Sequence, residues 1–306
     1  MKITTRFKQL VLAPDILVLP VAPDALCARI ARQVGFKALT SGGYSQSAHL
    51  LGKPDVNLLT ATEMAAAAGR IAEASGLPVM ADGDTGHGNV VNVMRTVRLH
   101  EKAGAAALFL EDQVSPKRCG HMSGKRIIPT EDMVAKLGAA LDARQDPDFM
   151  IMARTDAIAV EGFEAALERA HRFIEAGADM IFVEAPENLE QMRRIAAELP
   201  APTLANMIPG GKTPMLTAAE LQDMGFAMVA HATACTYAIA KTVRELLGHL
   251  LTQGTVAGME DRLIEFDEFN RLVGLEEIRD LERHYYQGIA EAKETRIASG
   301  SAEKIK

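Results

Sequence analysis

The stretch Lys102-Ala103-Gly104-Ala105-Ala106-Ala107-Leu108-Phe109-Leu110-Glu111 combines a helix end, a glycine and an apolar run that stops on an acid. Glycine suits the left-handed residue that closes a helix, because it has no Cβ to clash there. The run that follows is continuous rather than alternating in hydrophobicity, as expected of a parallel strand covered on both faces. The same order of helix end, glycine and strand returns at Gln33-Val34-Gly35-Phe36, Glu175-Ala176-Gly177-Ala178 and Asp223-Met224-Gly225-Phe226. Strands are predicted over 16–20, 38–41, 78–82, 106–111, 149–154, 180–184, 203–206 and 228–230. Helices are predicted over 62–75, 90–103, 130–144, 162–176, 189–198 and 218–224. This repeat predicts an α/β fold, a (β/α)8 TIM-type barrel, as a catalytic domain over residues 1–240.

Residues 241–306 read as a helical extension, with helical periodicity over 242–253 and 259–286. The pattern fits an oligomer interface and packing against the barrel equally well. The tail from Glu291 is rich in Lys, Glu and Ser and reads as frayed.

The 306 residues are 48% apolar and carry a formal net charge of -7. That balance argues against general nucleic-acid binding and suits a protein that handles small molecules. The three cysteines, Cys27, Cys119 and Cys235, form neither a disulfide framework nor a paired zinc motif. No secretory signal and no bilayer-spanning run is read, so the cytoplasm is the expected location. Cys27 and Cys235 are expected as buried small hydrophobes.

Polar residues collect where the predicted strands end: Ser41, Asp82, Asp84, Glu111, Arg154, Glu184, Asn206 and His231. A barrel of this type carries its active site on that face. Asp82-Gly83-Asp84, joined by Glu111 from the next strand, offers oxygen ligands for Mg²⁺ or Mn²⁺. The amides of Ser41-Gly42-Gly43 suit a carboxylate. Arg154 suits a bidentate carboxylate clamp, or else a structural ion pair with Asp156 or Glu184. Cys119 sits in Lys117-Arg118-Cys119-Gly120-His121, where neighbouring cations are expected to lower the thiol pKa. It reads as nucleophile, metal ligand or proton donor; a mobile loop closing over substrate suits the donor.

Together, Leu51-Gly52-Lys53-Pro54-Asp55, Asp82-Gly83-Asp84-Thr85-Gly86, Glu111-Asp112-Gln113, Lys117-Arg118-Cys119-Gly120-His121 and Ala153-Arg154-Thr155-Asp156-Ala157 resemble the isocitrate lyase and phosphoenolpyruvate mutase superfamily. The resemblance covers nearly the whole chain. It implies a Mg²⁺-dependent barrel, with Asp55 near the metal ligands Asp82, Asp84 and Glu111. It implies a homotetramer, a dimer of dimers that exchange their C-terminal helix. The expected partner is a small di- or tricarboxylate bearing a 2-oxo or 2-hydroxy group. Lys117, Arg118, Gly120, Glu184 and Asn206 are expected to contact it, with His121 tuning the thiol and Tyr44 a candidate base of lowered pKa. Within the superfamily the cysteine loop marks the lyases, so carbon–carbon cleavage of a 2-alkylmalate is expected, first 2,3-dimethylmalate to pyruvate and propanoate. The alternatives are cleavage of 2-methylisocitrate to pyruvate and succinate, then of oxaloacetate, then phosphonopyruvate mutase or hydrolase chemistry. The segment 230–235 is expected to pack the side group at C2 or C3.

Overall fold

The computed structural model describes the backbone of residues 1–300 and the side chains through Gln287. Its strands are β1 Leu17–Pro20, β2 Leu39–Ser41, β3 Val79–Asp82, β4 Ala107–Glu111, β5 Met150–Thr155, β6 Met180–Val183, β7 Leu204–Asn206 and β8 Met228–His231. All pair in parallel, as two arcs with the orders β1-β8-β7 and β2-β3-β4-β5-β6. Single bridges, Val21 to Thr40 and Ile181 to Thr203, join the arcs into a barrel. The predicted strands are all present, with no end moved by more than one residue.

Side chains alternate across the wall, as the two-residue period of a strand requires. Ala107 and Phe109 of β4 belong to an inner cluster with Met80, Met152, Met180, Phe182 and Met228. Leu108 and Leu110 belong to an outer cluster with the surrounding helices, among them Val97, Leu137 and Phe173. The helix before β4, Val90–Ala103, ends on Gly104 at φ 96°, the left-handed cap its sequence predicts. It starts on an Asn89 capping box, and Ala61–Ser75 starts on one at Thr60. Each box satisfies amides that the first turn leaves unpaired.

Several segments differ from the sequence reading, among them a helix Ala25–Val34 outside the predicted ranges and the helix Ala234–Gln253, which starts ahead of the stretch expected over 242–253. Residues Ile3–Val11 form an unpredicted helix that places Phe7 and Val11 in the inner cluster. Its Thr5 and Lys8 bond Asp148, just ahead of β5. The single helical stretch expected over 259–286 is divided into a short 3-10 turn Glu260–Arg262 and helices Phe266–Leu272 and Leu275–Gly300. Gly274, at φ 83°, separates the last two.

The chain divides into two compact units, Met1–Val243 and Arg244–Lys306. Of the tail expected to fray, the backbone is helical through Gly300 and residues 301–306 lie outside the described residues. No helix among the described residues is long and apolar enough to cross a membrane.

Candidate active site

A cavity of about 70 Å³ lies at the C-terminal end of the barrel. Its floor is apolar, made by Val21, Met80, Phe109, Phe182, Leu204 and Ala230. Asp82, Arg154, Glu184 and Asn206 reach it from or just past the ends of β3, β5, β6 and β7. Tyr44, from the short helix Gly43–Gln46, and Asp55, Cys119, Gly120, Ile208, Ala232 and Thr233, from loops, close it. Of the segment expected to pack a substrate side group, Ala230, Ala232 and Thr233 line the cavity.

Asp82 is fixed by backbone donors, Gly43 N–H at 2.8 Å and Asp84 N–H at 2.9 Å. A Cβ on Gly43 would stand 3.1 Å from both Asp82 Oδ2 and Asp84 Oδ1, so glycine makes room for the two carboxylates. The Gly43 amide therefore serves Asp82, which corrects the expectation that it would bind a substrate carboxylate. Ser41 is fully buried, accepts a hydrogen bond from Gln46 and does not line the cavity, which corrects its predicted role. Gly42 does line it.

Lys117 stands among the acids. Its Nζ lies 2.7 Å from Asp55 and 2.9 Å from Asp84. Burial opposes its charge, but Asp84, Glu111, Asp82 and Asp55 together outweigh burial and hold it protonated. Burial, and then Asp84, pushes the Asp82 carboxyl up; burial pushes Glu111 well up despite Arg154 and Lys117. Glu111 Oε1 has no hydrogen-bond partner. As they stand, no three acidic, His or Cys side chains among the described residues close on one ion. The donor set nevertheless fits a hard cation: it is all oxygen, and the buried acids Asp55, Asp82, Asp84 and Glu111 outnumber the cations beside them.

Arg154 is committed to the structural pair that was the alternative for it. Its Nε and Nη2 donate to Asp156 at 3.0 and 3.1 Å, and its guanidinium lies 5.0 Å from the Phe182 ring centre. Nε is also 3.4 Å from Glu111, and Nη2 is 3.8 Å from Glu184. Burial opposes ionisation of Asp156, but Arg154 and Lys125 bring its carboxyl down to about 2.

The Cys119 loop is laid over this network. Burial raises the thiol pKa, although the His121 amide bonded to it works the other way. The expected lowering fails because the nearby cations turn elsewhere: Lys117 into the acids, and Arg118 outward to the Ser123 carbonyl. Arg118 is exposed and lines an outer cleft with Met122 and Arg126, away from the cavity. His121 Nε2 lies 3.2 Å from Glu184, while its Nδ1 accepts the Lys212 amide at 3.2 Å. That assigns the ring proton to Nε2. Gly120 is held so close that an added Cβ would fall on Glu184 Oε1 and 2.5 Å from Arg154 Nη2.

Tyr44 lines the cavity, but its hydroxyl is 3.3 Å from that of Tyr237. That contact and burial raise its pKa, opposite to the expected lowering, so it is not supported as a base. Cys27 and Cys235 are half-buried, not fully buried as expected. Burial, with Asp24, pushes the Cys27 thiol up to about 12. Sequence reasoning missed Lys125, which is buried and donates to Asp156 at 2.8 Å.

A sequence model of the family described as Phosphoenolpyruvate phosphomutase matches residues 7–251, and the chain belongs to that family. It is 50% identical to the 2,3-dimethylmalate lyase of Eubacterium barkeri, over 94% of this chain and 100% of that one. It is 42% identical to the 2-methylisocitrate lyase of Aeropyrum pernix, over 87% of this chain and 86% of that one. A crystal structure of 2,3-dimethylmalate lyase, a PEP mutase/isocitrate lyase superfamily member, superposes with a TM-score of 0.88 at 32% identity. The match covers 93% of this chain and 96% of that one.

Proposed function

From membership of this family, we propose that the protein is a carbon–carbon lyase that cleaves a 2-alkylmalate, with 2,3-dimethylmalate giving pyruvate and propanoate. The observation that carries the substrate choice is the cavity lining. Arg154 is its only Lys or Arg side chain among the described residues, and Asp156 already engages it. The rest of the wall is largely apolar, which suits alkyl substituents better than a third carboxylate or a phosphonate.

Asp82, Asp84 and Glu111, with Asp55, would hold Mg²⁺, with Mn²⁺ an equivalent choice by donor chemistry. The metal supplies charge that stabilises oxyanion character as it develops. The guanidinium of Arg154 lines the cavity beside Glu184 and keeps Nη1, which Asp156 does not engage, to orient the substrate carboxylate. The C2 hydroxyl passes its proton to water, C2 becomes a carbonyl and the C2–C3 bond breaks. The bond pair stays on C3, which takes its proton from the Cys119 thiol. A donor must be protonated at rest, and the raised pKa of Cys119 supplies that. His121 keeps Glu184 in place, and Asn206 Oδ1, buried without a partner, is free to accept from a substrate hydroxyl.

The barrel unit carries this chemistry, and the C-terminal unit serves assembly into a homotetramer in the cytoplasm. Support for assembly comes from Ile278, Leu281 and Tyr285, which leave 55%, 55% and 68% of their surface exposed along one helix. Light scattering on the purified protein reads the oligomer directly.

The deciding experiment is product release with and without Mg²⁺: pyruvate from 2,3-dimethylmalate, 2-methylisocitrate and phosphonopyruvate, and oxalate from oxaloacetate. Metal-dependent preference for the dimethylmalate is expected. Preference for 2-methylisocitrate would reject the apolar-pocket argument, and phosphonopyruvate turnover would reject the role given to Cys119.

A further inference from the structure

Lys125 lies six residues past Cys119 in sequence, and its side chain is 1% exposed. A lysine so deeply withdrawn needs partners for its charge. It has two. Its Nζ donates to the carbonyl of Gly120 and, at 2.8 Å, to Asp156 Oδ1. Asp156 follows β5 and also holds Arg154 through both carboxylate oxygens.

The carbonyl that Lys125 grips belongs to the residue directly after Cys119. On the other side, the Gln113 side chain bonds both the amide and the carbonyl of Arg118, at 3.0 and 2.8 Å. The Cys119 amide donates to the Asp55 carbonyl at 3.2 Å. The thiol-bearing residue is thus fastened from both directions, and Lys125 is the fastener that runs down to the end of β5.

We propose that Lys125 is a positioning residue that keeps the Cys119 loop seated over the cavity by joining the Gly120 carbonyl to Asp156. It touches no substrate. It acts by fixing the peptide after the thiol, so that Cys119 and Gly120 meet Arg154 and Glu184 in one arrangement. Without it, both the Gly120 carbonyl and Asp156 lose a charge-assisted donor and the loop lifts. The inference rests on reading the Cys119 loop as the cover of the active site.

The test measures alkylation of each cysteine by iodoacetamide, resolved by peptide mass spectrometry, on the full chain without substrate. In Lys125→Met, Cys119 is expected to label roughly ten- to a hundredfold faster, the factor that follows loss of a hydrogen bond to a charged group. Cys27 and Cys235 should keep their wild-type rates and so report an intact barrel. Lys125→Gln, which retains an N–H donor but no charge, should fall between. Rates taken across the neutral-to-alkaline range separate access, which scales the whole profile, from thiol acidity, which moves its midpoint. An unchanged Cys119 rate in both variants overturns the proposal. So does a parallel rise at all three cysteines in both, which would make Lys125 a general structural residue. Failure of every candidate malate to turn over would reject the lyase reading and leave the labelling result standing.

Discussion

Lys117 Nζ lies 2.9 Å from Asp84 Oδ1, and the two side chains are 3% and 2% exposed. A buried pair of this kind is costly to split, because the partner left behind has neither solvent nor counter-charge. Lys117→Met is therefore expected to lower stability by about 3–5 kcal/mol in metal-free buffer. Adding Mg²⁺ should restore much of that loss by recharging the acid cluster. Thermal denaturation with and without Mg²⁺ reads both effects, and an equal deficit in the two buffers would reject the compensation.

Cys119→Ser removes the proposed proton donor while keeping the size of the side chain nearly unchanged. Turnover should fall by about 10²–10⁴-fold, the range for loss of a positioned acid, with the circular dichroism spectrum unaltered. In the wild type the donor is the neutral thiol, whose pKa is raised above its ordinary 9.0. Activity should consequently hold through neutral pH and decline only as pH rises through that raised value. A pH–rate profile with its alkaline limb below neutrality would contradict the donor role.

Gly120→Ala places a methyl group against Glu184 and Arg154. The loop cannot seat with that group in place, so turnover should fall about a hundredfold from misplacement alone. Stability should change by less than about 1 kcal/mol, because the loop can swing clear of the folded barrel. Steady-state kinetics paired with urea denaturation distinguishes this from general damage.

His100 is fully buried, with Nδ1 bonded to the Thr96 carbonyl and Nε2 without a partner. Burial lowers its pKa to about 4. A depressed pKa stabilises the fold above the unfolded value of 6.5, and that contribution is lost as pH falls through the folded value. Between pH 7 and pH 5 this one residue should withdraw about 2 kcal/mol of stability. His100→Leu should flatten that part of the urea stability curve, and identical slopes in the two proteins would rule the account out.

The barrel was legible because each unit is local. The caps at Gly35, Gly104 and Gly225, all at positive φ, and the apolar runs behind them lie within a few residues of one another. The strand-end acids followed from the same count. Directions of long side chains did not follow. Lys117 and Cys119 are neighbours in sequence, yet Lys117 turns to Asp55, which arrives from 62 residues away. Tyr44 meets Tyr237 across 193 residues, and no local pattern announces that contact. Nothing in the residues around Lys125 marks it as buried. Asp156 was the recoverable case, since its two-residue spacing from Arg154 made their ion pair a stated alternative. Gly274 was also visible, but helical periodicity on both sides masked the break it makes.

The two arcs of the barrel meet through single bridges, at Val21–Thr40 and Ile181–Thr203, and Val21 and Thr40 also line the cavity. A seam of this sort works as an expansion joint. Strain on the wall would fall first on these short junctions, beside the cavity at Val21 and Thr40, because the continuous ladders tie each arc only within itself.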